Sequence, residues 1–420
     1  MVAGVYVRDG KVSYRARWAE TDTMKVELAA GEAVYSGFVN GGTPGRLPDG
    51  APPTKNVANT NVGVFGDELI VYYEGALPTT MHPGTLATGT PYDFHGGIDV
   101  LCTAHYKIDP ATGDMLFFAA LGPRITWYRA DVTTGAIVDS ATLDTGVPVM
   151  MHDFAVTESH AVFFVTPAHS RLDLIMQGRP GLVWDEAAMP HGTSIVLLDR
   201  TTHAVSWHEV GGQFANTHFY NAYELDGRLV VEGHRIARLG TPVDRLGTPV
   251  PPHEWFPPAW PHRWTIDLAT GRVGDEQVSG VAGAFPKIND AYTGKAHRYG
   301  YMVTTRGLAP DQMSDGLAKH DALLDRTIIV EGPDDLTSPS EPVFVPRESA
   351  ATEDDGYLLS IWWNRSTQLS EFLVHDAAGL QRTPLARVPL PARLPFGFHG
   401  SWVDAAVLDR AIVAQRAGSS

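Results

Sequence analysis

Four of the 17 histidines in this chain stand in surroundings that suit metal chemistry. His105 lies in Cys102-Thr-Ala-His-Tyr-Lys-Ile-Asp-Pro110 and His152 in Val149-Met-Met-His-Asp-Phe-Ala-Val-Thr-Glu158. His218 lies in Thr217-His-Phe-Tyr-Asn-Ala-Tyr-Glu224 and His399 in Pro395-Phe-Gly-Phe-His-Gly-Ser-Trp402. Each adjoins a short strand-like run in an apolar or small-residue context. Neutral imidazole is a ligand for iron, zinc, copper and nickel. The spacing is too wide for a zinc finger or for two histidines on one helix. It suits an architecture whose innermost strands, far apart in sequence, meet on one axis. A lone histidine is more often structural than a ligand, so the convergence of these four is the point to test.

Around these histidines the chain reads as many short strands. A turn signature recurs as Asp109-Pro-Ala-Thr-Gly113, Asp131-Val-Thr-Thr-Gly135, Asp267-Leu-Ala-Thr-Gly271 and Asp376-Ala-Ala-Gly379. Asp can hydrogen-bond the backbone two residues on, and Gly supplies a positive φ. Asp-Gly also lies between apolar flanks in Val7–Val12, Glu224–Val231 and Asp354–Trp362, a strong hairpin signal. Strands this short and this regularly spaced point to a β-propeller rather than a sandwich. Residues 403–413 fit a helix or a hairpin, and strands are the favoured reading. Residues 239–264 form a Pro-rich excursion with a local duplication, Leu239-Gly-Thr-Pro-Val243 and Leu246-Gly-Thr-Pro-Val250. We read it as a loop over one face of a single domain spanning residues 1–420.

Composition narrows the partners. The formal charge of −16 lacks the basic footprint of a nucleic-acid binder. One cysteine, Cys102, excludes a disulfide framework and a thiolate cluster. A reducing, cytoplasmic setting is the simple expectation. No apolar run is long enough to span a bilayer.

The four histidine segments resemble, in order, the four histidine motifs of the carotenoid cleavage oxygenases, with Tyr106 where that family usually has proline. Asn56–Val62, Tyr92–Phe94, Glu341–Arg347 and Glu353–Gly356 extend the likeness over nearly the whole chain. The resemblance implies an all-β, seven-bladed β-propeller with loops capping one face. It implies Fe(2+) held by His105, His152, His218 and His399. It also implies O2-dependent cleavage of an alkene to two carbonyl products. Carboxylates behind the ligands would fix their tautomers; the resemblance assigns Glu74 to His152 and Glu353 to His399. The third family glutamate is replaced by Ala284, in Ala284-Phe-Pro-Lys-Ile288, which leaves His218 without that partner. The chain starts inside the motif that ends the family's N-terminal segment, so the resemblance implies that a segment helping to close the ring is missing.

On the substrate side, Tyr73 stands where stilbene-cleaving members carry a lysine, and its hydroxyl could hydrogen-bond a phenol. Trp255, Phe256, Trp260 and Trp264 leave three readings open: an apolar tunnel wall, a membrane contact, or a loop packed on its own propeller. The substrate is then an apocarotenoid, a stilbenoid or a phenylpropenoid. Ala284 and the short N-terminus also motivate a second reading, a catalytically degenerate ligand-binding member of the family.

Overall fold

The computed structural model describes residues 1–35, 47–175, 177, 179, 181–240, 257–307 and 312–417. The chain opens with a hairpin, β1 (Val2–Arg8) and β2 (Lys11–Arg17), followed by helix α1 (Asp22–Ala30). Thr21 caps α1 by accepting from the Met24 N–H, and Gly31 ends it at φ 71°. Six sheets follow. The first blade is β3 (Asn61–Phe65), β4 (Glu68–Tyr72), β5 (Thr79–Met81) and β6 (Thr88–Pro91). The second is β7 (Lys107–Ile108), β8 (Met115–Leu121), β9 (Arg124–Ala130) and β10 (Ile137–Asp144). The third contains β11 (Ala155–Val156) and β12 (His160–Val165). A side excursion then makes β13 (Ala168–Ser170), the short helix α2 (Leu172–Ile175) and β14 (Leu182–Trp184), before β15 (Ser194–Asp199) and β16 (Val205–Glu209) complete that blade.

The fourth blade is β17 (Ala215–Leu225), β18 (Arg228–Ile236), β19 (Ala259–Asp267) and β20 (Val273–Gln277). The fifth is β21 (Gly283–Lys287), β22 (Tyr299–Thr304), β23 (Gly316–Asp321) and β24 (Arg326–Val330). In the sixth, β25 (Leu336–Thr337) and β26 (Val343–Pro346) both pair with β27 (Gly356–Asn364), followed by β28 (Ser370–Asp376) and β29 (Ala386–Pro389). Helix α3 (Ala405–Ala417) ends the described chain.

The propeller therefore has six blades among the described residues, not the expected seven. The strands β1 and β2 pair only with each other, and the C-terminal stretch read as strands is α3. Its partly or fully buried residues Val407, Leu408, Ala411 and Ile412 recur at helical spacing and share one face. Arg8 on β1 forms an exposed ion pair with Asp409 on this helix at 2.8 Å. Of the Pro-rich excursion, residues 241–256, including Trp255 and Phe256, lie outside the described residues. Trp260 and Trp264 belong to β19 rather than to a loop. Trp264 is fully buried between the third and fourth blades, against Phe164 at 4.8 Å and Phe214 at 5.8 Å. It is a core residue, and truncating it to alanine costs about 3–5 kcal/mol.

The core lies between blades rather than inside them. One cluster joins Phe118 and Trp127 of the second blade to Phe154 and Phe163 of the third. Another joins Tyr301 and Leu317 of the fifth to Leu358 and Trp362 of the sixth. In β27 every second residue is buried, as a strand with one face on such a seam requires.

Around the axis, polar side chains stitch each blade to the next. Asn61 donates to the Ala104 carbonyl at 2.8 Å and Thr103 to the His152 carbonyl at 3.1 Å. Asp153 accepts from the Phe219 N–H at 3.1 Å. Asn221 donates to the Tyr292 carbonyl at 2.9 Å and Asn289 to that of Glu353 at 2.9 Å. The last link is backbone: the His399 N–H donates to the Thr60 carbonyl at 3.1 Å and brings the C-terminal segment onto the first blade.

The Asp turn is more widespread than its sequence signature. Between third and fourth strands it recurs at Asp131, Asp199, Asp267 and Asp321, each accepting nearby backbone N–H groups. The residue four further on has positive φ in every case: Gly135, His203, Gly271 and Asp325. His and Asp are among the non-glycine residues that tolerate this region, which hid two copies from a search for glycine.

Candidate metal centre

All four singled-out histidines arrive at the same end of the inner strands. His105 lies two residues before β7 and His152 three before β11. His218 lies within β17, where the register with β18 shifts between Asn216 and Phe219; such a bulge re-aims side chains. His399 follows β29 in the extended segment pinned to Thr60. Their ligand nitrogens all fall within 4.8 Å of one another. The Nε2 atoms of His105 and His152 are 3.0 Å apart, those of His152 and His218 3.2 Å, and those of His218 and His399 3.3 Å.

These edges match a shared ion. Imidazole nitrogens about 2.1 Å from a first-row metal stand roughly 3.0 Å apart at right angles and roughly 3.4 Å apart in a tetrahedron. The other ring nitrogens strengthen the case. His152 Nδ1 lies 2.7 Å from Glu74 Oε2, and His399 Nδ1 lies 2.9 Å from Glu341 Oε1. A proton on each Nδ1, donated to the carboxylate, leaves Nε2 of the neutral ring with a lone pair facing the centre. A centre lined with such lone pairs calls for a cation.

The carboxylate behind His152 is the expected Glu74. Behind His399 it is Glu341, not Glu353. Glu353 instead accepts from the backbone N–H groups of Arg298 and Tyr299, at 2.9 and 2.7 Å. The reason is topological: Glu341 lies between β25 and β26, the two strands on the inner edge of its blade, whereas Glu353 sits in the turn before β27, facing the fifth blade. Glu341 also accepts from the Gly400 N–H at 2.9 Å. Its place two residues ahead of a strand matches that of His105, but Glu353 also precedes a strand, so sequence position alone did not separate the two.

The other two imidazoles lack such support. His105 Nδ1 is 3.8 Å from Asp153, too far for a hydrogen bond. Among the described residues nothing accepts from His218 Nδ1, in keeping with alanine at position 284. Burial, reinforced by the neighbouring imidazoles, pushes His105 and His218 well below the ordinary histidine pKa. Burial acts the same way on His152, but the Glu74 carboxylate outweighs it and the net shift is upward.

Two further side chains shape the surroundings. Tyr106 packs its ring on Tyr72 at 5.1 Å. A Cβ at Gly63 would lie 1.7 Å from the Tyr106 hydroxyl, so a glycine at position 63 makes room for the tyrosine. The Tyr73 hydroxyl is pushed up to about 12 by burial and then by Glu74. It stays protonated, with no protein partner among the described residues. The His152 side chain is 19% exposed against 7% for His105 and 5% for His399, so the cluster is open on the His152 side.

Comparison with known proteins agrees with this geometry. Residues 1–404 match the family of the retinal pigment epithelial membrane protein. The lignostilbene-alpha,beta-dioxygenase isozyme III of Sphingomonas paucimobilis is 29% identical over 97% of this chain and 86% of its own. The isoeugenol monooxygenase of Pseudomonas putida is 28% identical over 96% of this chain and 86% of its own. The crystal structure of Pseudomonas brassicacearum lignostilbene dioxygenase superposes with a TM-score of 0.85 at 26% identity, covering 96% of this chain and 86% of that one. Cobalt-substituted Synechocystis ACO shares the fold, with a TM-score of 0.85 at 24% identity, covering 96% and 87%. Among the described residues no helix is long and apolar enough to cross a membrane. A propeller axis ringed by four convergent imidazoles and a match running from the first residue to 404 lead to one conclusion: this chain belongs to the carotenoid cleavage oxygenase family, that of the retinal pigment epithelial membrane protein.

Proposed function

We propose that this protein binds one Fe(II) through His105, His152, His218 and His399 and uses O2 to split a carbon–carbon double bond. The substrate class is a small apolar alkene, a stilbenoid or phenylpropenoid ahead of an apocarotenoid. One observation carries the reading: four histidines with ligand nitrogens gathered within 4.8 Å of one another, two of them with Nδ1 on a carboxylate. The preference among substrates follows the relatives named for lignostilbene and isoeugenol. The iron, when bound, supplies coordination positions for O2 beyond the four imidazoles. In the overall balance the alkene and O2 become two carbonyl groups, so no external reductant or organic co-substrate is consumed.

The chain's own residues do the holding. Glu74 and Glu341 keep their imidazoles in one tautomer and offset part of the metal charge. In this reading the Tyr73 hydroxyl, kept protonated by burial and Glu74, is the donor to a phenolic substrate. The test is anaerobic loading with Fe(II), then O2 with resveratrol, isoeugenol or an apocarotenal, reading aldehyde products by mass. Turnover of the stilbene or the phenylpropenoid is expected. Absence of product from all three with iron fully bound defeats the proposal.

A second reading has its own support. His218 has no acceptor behind it among the described residues, and Ala284 cannot supply one. Loss of such a partner weakens metal affinity about 10–100-fold. A ligand-binding protein without turnover would then load iron at well below one equivalent under the same anaerobic conditions.

A further inference from the structure

The inner strand of the fifth blade carries no metal-site histidine, yet its register with the next strand is broken. Ala284 pairs with Val303 and Lys287 with Tyr301, so Phe285 and Pro286 together face the single residue Met302. This is a bulge. Phe285 sits at φ 53°, a region that a bulky side chain rarely enters. Proline suits the position because a bulge has no ladder bond for its missing N–H to break. The distortion sets two contacts with the metal site. The Phe285 ring lies 5.5 Å from that of His218 and 5.2 Å from that of His399. The Lys287 ammonium lies 3.6 Å from Glu341 Oε1, the same oxygen that faces His399 Nδ1.

We propose that Lys287 is a positioning residue for the metal centre: by pairing with Glu341 it holds the carboxylate that orients His399. Glu341 is then fixed from three sides, by Lys287 of the fifth blade, His399 Nδ1 and the Gly400 N–H. Its side chain is 4% exposed and that of Lys287 28%, so the carboxylate is shielded from bulk water while the lysine keeps partial solvent access. Asp290, Tyr106 and Asp153 also draw on the Lys287 charge. The second blade has only half of this arrangement: Lys107 lies 2.8 Å from Asp153, but His105 Nδ1, at 3.8 Å, is beyond hydrogen-bond reach of that carboxylate.

The inference rests on the metal reading, and the experiment separates the two. Cobalt(II) is titrated against a chelator for the wild type, Lys287→Met, Lys287→Arg, Glu341→Gln and the Lys287→Met/Glu341→Gln double variant. The cobalt visible spectrum and the melting temperature of the metal-free protein are followed in parallel. Lys287→Met is expected to weaken cobalt binding about threefold to tenfold and to shift the visible bands. Lys287→Arg should restore both, and Lys287→Met should cost nothing further once Glu341 is Gln. Lys287→Gln, read the same way, serves if the Met variant does not fold. Unchanged affinity, an equal loss in the Gln background, or a lowered melting temperature with an unchanged spectrum overturns the proposal. Failure of the wild type to bind cobalt overturns the metal reading instead.

Discussion

The four imidazoles of the metal centre fall into two groups, and the difference lies behind the ring rather than in front of it. His152 and His399 each face a carboxylate within 3 Å of Nδ1. His105 and His218 do not, although their Nε2 atoms join the same cluster. A third pair, His234 and His375, is buried away from the cluster, with Nδ1 of each lacking any hydrogen-bond partner among the described residues. Burial alone pushes His375 down to about 4, and burial with the nearby His262 pushes His234 down to about 3. An imidazole can thus be buried for packing or for coordination. A carboxylate behind the ring fixes the tautomer of two of the ligands, but it is not confined to them: His262 Nδ1 lies 2.7 Å from Asp275 and His160 Nδ1 2.8 Å from Glu224, both outside the cluster, so convergence of Nε2 atoms is what marks coordination.

Deletion tests this division most directly. His152→Ala and His399→Ala should each abolish stoichiometric cobalt or iron binding, measured by metal analysis after anaerobic loading. His203→Ala and His375→Ala should retain it, although the second removes a side chain only 1% exposed and lowers the melting temperature. Equal loss from all four would remove the distinction between coordinating and packing histidines.

A smaller effect separates the carboxylates. Glu74→Gln and Glu341→Gln should weaken metal binding about 10–100-fold by chelator competition. Glu353→Gln should leave affinity within about twofold and cost instead about 1–3 kcal/mol of stability, from the backbone bonds it accepts on the fifth blade. A large affinity loss at Glu353 would restore it to the role its sequence suggested.

The unsupported side can be probed by adding what it lacks. Ala284→Glu is expected to tighten cobalt binding several-fold, provided the new carboxylate reaches His218 Nδ1. No change, or weaker binding, would show that the bulged strand holds position 284 away from that nitrogen.

The last test concerns the packing histidines. His375 has an unfolded value near 6.5 and a folded value of about 4. Between these values the unfolded chain holds a proton that the folded chain does not. Stability therefore falls as pH drops through this window, by up to about 1.4 kcal/mol per pH unit, and levels off below it. His375→Gln should flatten chemical-denaturation stability between pH 6.5 and 4. An unchanged slope would mean that this ring ionises freely in the folded protein.

Much of this site is legible in the order of the amino acids. The four histidines are embedded in motif residues whose types are dictated by short-range demands. Thr103, Asp153 and Asn221 supply side-chain bonds that stitch inner strands together, and each lies within three residues of its histidine in sequence. Glu74 was legible for a similar reason, since it closely follows the apolar run of β4. Glu353 and Glu341 could not be told apart, because both belong to the sixth blade and both precede a strand. Only the location of that strand in the ring decides which carboxylate faces the axis. The helix at 405–417 escaped because a short apolar run carries both strand and helix patterns.

Residue type and local pattern alone determined that this chain makes short antiparallel strands, tight Asp turns and four histidines of one ligand chemistry. These follow from side-chain conformational preference and hydrogen-bonding capacity within a few residues, which travel with the sequence. Blade number, the meeting of Lys287 with Glu341, and the placing of carboxylates behind only two of four imidazoles were decided by the closed ring. Each depends on contacts between segments tens to hundreds of residues apart, and no local preference encodes which edges will pack together.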